Sequence, residues 1–205
     1  MAPNLGMLAN RYMQHYQVSS EKNEKEDDNS IVTEGQDLSS DPFFIMSFNI
    51  AVFLTKRRLG ERTASLRQGE KMEELTKQML LKHEITFNKM AGKLTLTPEN
   101  VVATVEAVGQ ELFLDGCNFG RIVAAYALFI RILDYCLSHN MEDKVEEIQK
   151  TTAKVIMDKK EWIMKNGGWD GFMDYFSDPS EKIWKGFMIA TFGLGALATL
   201  LYTRA

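Results

Sequence analysis

From residue 41 onward apolar side chains recur every three or four positions, and no stretch alternates with period two for long. That is the period of helices burying one stripe. Asp41-Pro42 supplies an N-cap with proline at the first helical position. It predicts a helix over 43–59, with Lys56, Arg57 and Arg58 in the last turn and Gly60 as the stop. Ser65 and Gln68 fit a capping box ahead of Met72, Leu75 and Met79 at helical spacing. After a break, Ile85, Phe87 and Met90 carry the pattern to Gly92. Thr97-Pro98 opens a helix with Val101, Val105, Val108 and Leu112 on one face, ended by Asp115-Gly116. Asn118 caps the next, which runs to Leu137. Val145, Ile148, Val155, Trp162 and Ile163 predict one long amphipathic helix closed by Asn166-Gly167-Gly168. Asp170 caps a short last helix ended by Asp178-Pro179. The fold class expected is all-α.

Two segments break the amphipathic rule. Between Ile122 and Leu137 the only charges are Arg131 and Asp134. A helix apolar nearly all round is buried on all sides, so it belongs at the centre of the bundle. Such a helix is also what a pore-forming protein would hold in reserve. The second segment, residues 186–203, has 18 consecutive uncharged positions, flanked by Lys182, Lys185 and Arg204. With Ile183 and Trp184 it approaches the roughly 20 residues that span a bilayer. Trp184 and Tyr202 stand where interfacial aromatics belong. The competing reading is a buried core helix. The span predicts a C-terminal transmembrane helix over 183–203, a tail anchor that leaves the rest in the cytosol.

The other end is polar. Residues 19–37 hold seven acids, two bases and almost nothing apolar. Such a composition cannot bury enough surface to offset its ordering entropy. Residues 1–37 are therefore expected to be a disordered acidic region, and 38–180 a single helical domain. Residues 1–17 lack the long apolar core of a secretory signal, so export is not expected.

Composition removes several function classes. The 205 residues carry 28 acids against 24 bases, a net charge of −4, which argues against a nucleic-acid partner. Cys117 and Cys136 cannot build a disulfide scaffold or a four-thiolate site, and His15, His83 and His139 lack ligand spacing, so no metal is expected. No phosphate loop, His-Glu-x-x-His pair or nucleophile elbow occurs. The chain is expected to be no enzyme, with no catalytic residue and no cofactor.

Candidate binding chemistry lies in two places. Arg121 falls in the first turn of a helix, where a cation opposes the macrodipole by about 0.3–1 kcal/mol. Asp115 could offset that; alternatively, Arg121 faces outward to bind a carboxylate. Gly120 beside it has poor helix propensity, and its missing side chain would let another chain approach. The second place is residues 162–170, WIMKNGGWD, where Asn-Gly-Gly permits a sharp turn and two tryptophans bury the corner.

These two stretches, in this order and with this tail, resemble the Bcl-2 family of apoptosis regulators. Residues 111–124, ELFLDGCNFGRIVA, resemble the family's first homology motif, with Phe119 where the family usually has tryptophan. Residues 162–176, WIMKNGGWDGFMDYF, resemble the second, and the tail resembles the membrane anchor. Residues 82–101 are similar to the myeloid cell leukaemia (Mcl) branch. The third motif, a helix with a Leu-x-x-x-Gly-Asp core, is matched by residues 72–77, MEELTK, in which Gly-Asp has become Thr76-Lys77.

The resemblance implies a Bcl-2-like helical bundle around the central hydrophobic helix. It also implies a surface groove that receives the amphipathic third-motif helix of pro-apoptotic relatives, a helix-in-groove mode. By motif position the groove arginine is Arg121, with Asn118 and Gly120 beside it, and the wall includes Val108, Leu112 and Phe176. The function implied is pro-survival: sequestering death helices at the mitochondrial outer membrane, facing the cytosol, with the endoplasmic reticulum as the other candidate membrane. The alternatives are a pore-forming effector of the same fold and a tail-anchored adaptor without an apoptotic role.

Overall fold

A computed structural model describes residues 40–85, 87–88 and 95–177. The expected acidic region, 1–37, and the expected anchor, 183–203, lie outside them. Among the described residues the regular elements are helical, and no helix is long and apolar enough to cross a membrane.

The order is α1 (Pro42–Arg58), α2 (Arg67–Lys82), α3 (Val101–Leu112) and α4 (Phe119–Ser138), then a 3-10 turn (Glu142–Lys144), α5 (Val145–Met157), α6 (Lys160–Lys165) and α7 (Gly168–Tyr175). The start of α1 is as its sequence predicts: Phe43 N–H donates to Asp41 Oδ1 at 2.8 Å, with Pro42 at the first helical position.

Central placement of α4 follows from its composition. From Phe119 to Ile130 every side chain is buried. The helix touches α1, α2, α3 and α5, which lay their apolar stripes against it. Met72, Leu75 and Met79 come from α2, Val101, Val105 and Leu112 from α3, and Val145, Ile148 and Ile156 from α5; all join one core. The Tyr126 hydroxyl, fully enclosed, donates to Ser47 O at 2.9 Å, which satisfies this polar tip in the core. Gly109 lets α3 approach α5: a Cβ there would stand 2.8 Å from both Val155 methyls.

Four expected boundaries shift. The capping box at Ser65 does not form: α2 starts at Arg67 without a side-chain cap, and Ser65 Oγ donates to the Glu70 carboxylate at 2.8 Å instead. Thr97-Pro98 opens a single turn rather than α3 itself. Thr97 N–H donates to Asn100 Oδ1 at 2.8 Å, and the regular helix begins at Val101. The long helix expected to Ile163 is two helices, because the chain turns at Asp158 and Lys159, with Lys159 N–H bonding Ile156 O at 3.0 Å. Asp170 sits inside the first turn of α7, not at its cap. Gly167, at φ +89°, occupies the cap, a conformation open to glycine and costly for other residues.

The α6–α7 corner is fixed by rings. Phe119 lies 5.2 Å from Trp162, 5.7 Å from Phe172 and 5.3 Å from Tyr175. Trp169 stacks on Phe43 at 5.9 Å. Lys160 Nζ donates to Asp41 Oδ2 at 2.6 Å, tying this corner to the start of α1. That bond, with the Phe43 N–H, holds the Asp41 carboxyl below the usual aspartate range.

Candidate functional site

The candidate site is built where α3 hands over to α4. After Phe113 caps α3, Gly116 N–H turns back to Phe113 O at 3.1 Å, with Gly116 at φ +102°. Asn118 then caps α4, its Oδ1 accepting from Arg121 N–H at 2.9 Å. The cap fixes the first turn, so Phe119, Gly120 and Arg121 are buried together there.

Arg121 turns inward: its side chain is 6 % exposed. Nη1 donates to Gly116 O at 2.6 Å, and Nη2 to Asp115 Oδ2 at a long 3.4 Å. Nε is enclosed and makes no hydrogen bond. Of the two sequence readings of Arg121, pairing with Asp115 is the one present in this state of the chain. The pairing is lopsided, because the Asp115 carboxylate is 74 % exposed while the cation is buried. A guanidinium has five N–H donors. Here it meets one short carbonyl bond and one distant carboxylate, which leaves it under-satisfied.

The expected wall residues are core residues here. Val108 and Leu112, one helical turn apart on α3, are 6 % and 1 % exposed. Phe176, just past α7, is 2 % exposed, with its ring 5.2 Å from Phe172. All three belong to the same cluster as Phe119. The structure therefore gathers Asn118, Gly120 and Arg121 into one turn, and sets Val108, Leu112 and Phe176 in the adjoining apolar mass. Cys117, between the cap and the turn, has its thiol pushed up to about 11 by burial, against the pull of Lys159 and Arg121. It is poorly suited to act as a nucleophile.

On α2, Thr76 is fully buried, its hydroxyl donating to Met72 O at 2.7 Å. Lys77 is 66 % exposed and bonds Glu73 at 2.6 Å. Glu73 also accepts from Arg57 at 3.0 Å. Burial pushes the Glu73 carboxyl up, but these two cations outweigh it and hold it low. Lys77, Arg58 and Arg131 meet around an open pocket of about 310 Å³, with Leu80 and Leu81 on its wall. In the sequence Arg58 stands as a helix-end charge and Lys77 and Arg131 as charges within helices, with no sign that the three meet. Among the described residues no cluster of three metal-ligating side chains occurs.

These features define a class: an all-α bundle around a buried hydrophobic helix, with an under-satisfied cation at that helix's start. The family profile for "Apoptosis regulator proteins, Bcl-2 family" matches residues 72–169. The chain is 32 % identical over 108 residues to Bcl-2-like protein 1 of Rattus norvegicus, covering 52 % of this chain and 46 % of that protein. It is 32 % identical over 103 residues to the apoptosis regulator Bcl-2 of Gallus gallus, covering 50 % and 44 %. The crystal structure of Trichoplax adhaerens trBcl-2L2 bound to trBak BH3 superposes with a TM-score of 0.59 at 26 % identity, covering 65 % of this chain and 98 % of that one. The chain carries a Bcl-2 family domain over residues 72–169, and that family's profile describes apoptosis regulators. It spans about half the length of the curated relatives it matches. Those relatives are of the Bcl-2-like protein 1 and Bcl-2 kinds; the Mcl resemblance of residues 82–101 rests on sequence motif alone.

Proposed function

We propose that this protein is a pro-survival regulator that sequesters the amphipathic third-motif helix of pro-apoptotic relatives. Arg121 pairs with the aspartate of that helix, Asn118 and Gly120 shape the approach, and Val108, Leu112 and Phe176 supply the apolar wall. The observation that carries this reading is the under-satisfied Arg121 guanidinium at the start of α4, within the first homology motif. A ligand carboxylate would give it the short charge-assisted bonds that Asp115 does not. Similarity to Bcl-2 and Bcl-2-like protein 1 supports the role, as does a structural neighbour solved with a Bak BH3 helix. Residues 38–180 are the binding domain, 183–203 anchor it to the mitochondrial outer membrane facing the cytosol, and 1–37 form an acidic extension.

Thr76 and Lys77 favour the guardian over the effector. An effector offers its own third-motif helix to a neighbour's arginine; here a lysine stands in the aspartate's place, and like charges meet. In a liposome assay the full chain, given an activating third-motif peptide, releases no dye. Added to a competent effector it suppresses release, and Arg121→Glu abolishes the suppression. Autonomous peptide-triggered release would overturn the guardian reading in favour of the effector.

A further inference from the structure

We propose that Asp115 is a built-in competitor for the ligand carboxylate, occupying Arg121 until a helix displaces it and thereby setting the selectivity of the site. The inference rests on the helix-binding function proposed above. Asp115 and the incoming aspartate offer the same chemistry to the same guanidinium, whose side chain is 94 % enclosed. Both cannot take Nη2 at once without bringing two carboxylates together. The internal pairing is built to yield: its bond is 3.4 Å long, and its carboxylate is 74 % exposed and can return to water when released. Gly116, whose carbonyl takes the short bond, sits next in the chain, so the loop presents carboxylate and carbonyl to the guanidinium together. Leu114, on the other side of Asp115, is 71 % exposed, so the segment carrying the competitor already faces outward.

A ligand with a well-placed carboxylate displaces Asp115 and gains its own charge-assisted bonds, less the pairing it breaks. A ligand without one faces an arginine already occupied and gains nothing from it. Asp115 therefore sets how much a ligand carboxylate is worth: it draws affinity from aspartate-bearing helices alone, and so narrows their margin over helices that lack the carboxylate.

The test titrates the full chain with two synthetic amphipathic peptides, one carrying the Leu-x-x-x-Gly-Asp core and one with that aspartate replaced by asparagine. Asp115→Asn removes the competing charge and, being at an exposed position, leaves the fold intact. This pairing is long and its carboxylate faces water, so it contributes what a surface ion pair does, about 0.2–1 kcal/mol. Asp115→Asn should therefore tighten the aspartate peptide by up to about fivefold and leave the asparagine peptide unchanged. Glu106→Gln, which removes a charge from an exposed position on α3, should tighten neither. Equal gains for both peptides, or equal gains from Asp115→Asn and Glu106→Gln, overturn the proposal. If the wild-type chain binds neither peptide, it is the helix-binding function that fails. The competitor is then judged without ligand, by alkylation of Cys117 with Cys136 as internal reference. At least twofold faster labelling in Asp115→Asn supports the contact as a clamp on this loop, and an unchanged rate overturns it.

Discussion

Replacing Arg121 with methionine separates the role of its charge in binding from its role in the fold. Methionine keeps most of the apolar stem and removes the guanidinium. In the fold the charge gains one bond to Gly116 O at 2.6 Å and a weak pairing with Asp115 at 3.4 Å. A hydrogen bond to a charged group contributes about 1.5–3 kcal/mol, and a buried donor left unmade, as Nε is here, costs about 1–3 kcal/mol. Removing a cation from the first turn of α4 also returns about 0.3–1 kcal/mol of dipole repulsion. These terms nearly cancel, and Gly116 is exposed, so water can replace the lost donor. The expected change in unfolding free energy is within about 1 kcal/mol of zero. Binding is different: losing the bond to a ligand carboxylate should weaken the peptide by about 10- to 150-fold. Denaturant unfolding followed by circular dichroism measures the first quantity, and titration calorimetry measures the second. Loss of more than about 3 kcal/mol of stability with a parallel loss of binding would show that Arg121 serves the fold, and would refute the reasoning.

Gly109→Ala places a methyl 2.8 Å from both Val155 methyls, on a side chain with little rotamer freedom. It should cost about 1–3 kcal/mol in unfolding, largely restored by adding Val155→Ala. The folded Asp41 carboxyl titrates below its ordinary value of 3.8, chiefly through Lys160. Its stabilisation is therefore full above that value and lost as pH falls through the depressed folded one. Acid unfolding of Asp41→Asn should accordingly show a shallower pH dependence below pH 3.8 than the parent. Deleting residues 183–205 should move the protein to the cytosolic fraction, and charges at Leu194 and Leu197 should act alike, each costing about 2.5–3.5 kcal/mol at mid-membrane. Equal carbonate-resistant membrane association of full-length and truncated chains would end the anchor proposal.

The elements were legible where one physical signal dominated. Proline after an aspartate, an asparagine cap and a nearly uncharged apolar run are local devices, and α1 and α4 start where those residues stand. The break at Asp158–Lys159 is hidden in the sequence because the apolar period passes through it: Ile156 and Ile163 are seven residues apart and both are fully buried, one on either side of the turn. At Ser65 the capping side chain was present, but a carboxylate four residues past the expected start took its hydrogen bond. At the site, sequence gave the arginine and its possible partner Asp115, but not the choice between facing in and facing out. That choice depends on burial by elements distant in sequence. Nor could spacing alone tell that Val108, Leu112 and Phe176 serve the core in this state, since a groove wall and a core face share one helical period.

The Asp41–Lys160 bond also bears on how the chain is made. It joins residues 119 positions apart, and the ring stack of Phe43 on Trp169 closes at nearly the same place. During synthesis at about 5–20 residues per second, that separation is a wait of roughly 6–24 seconds. Throughout it the start of α1 lacks the ring and the lysine that hold it in the finished molecule. Phe53 meets Gly69 of α2 early, but Phe43, buried in the finished molecule, lacks the Trp169 ring until α7 emerges. The bundle thus closes over the start of α1 last, and a nascent chain arrested before α6 presents that unsheltered end to the cell's chaperones.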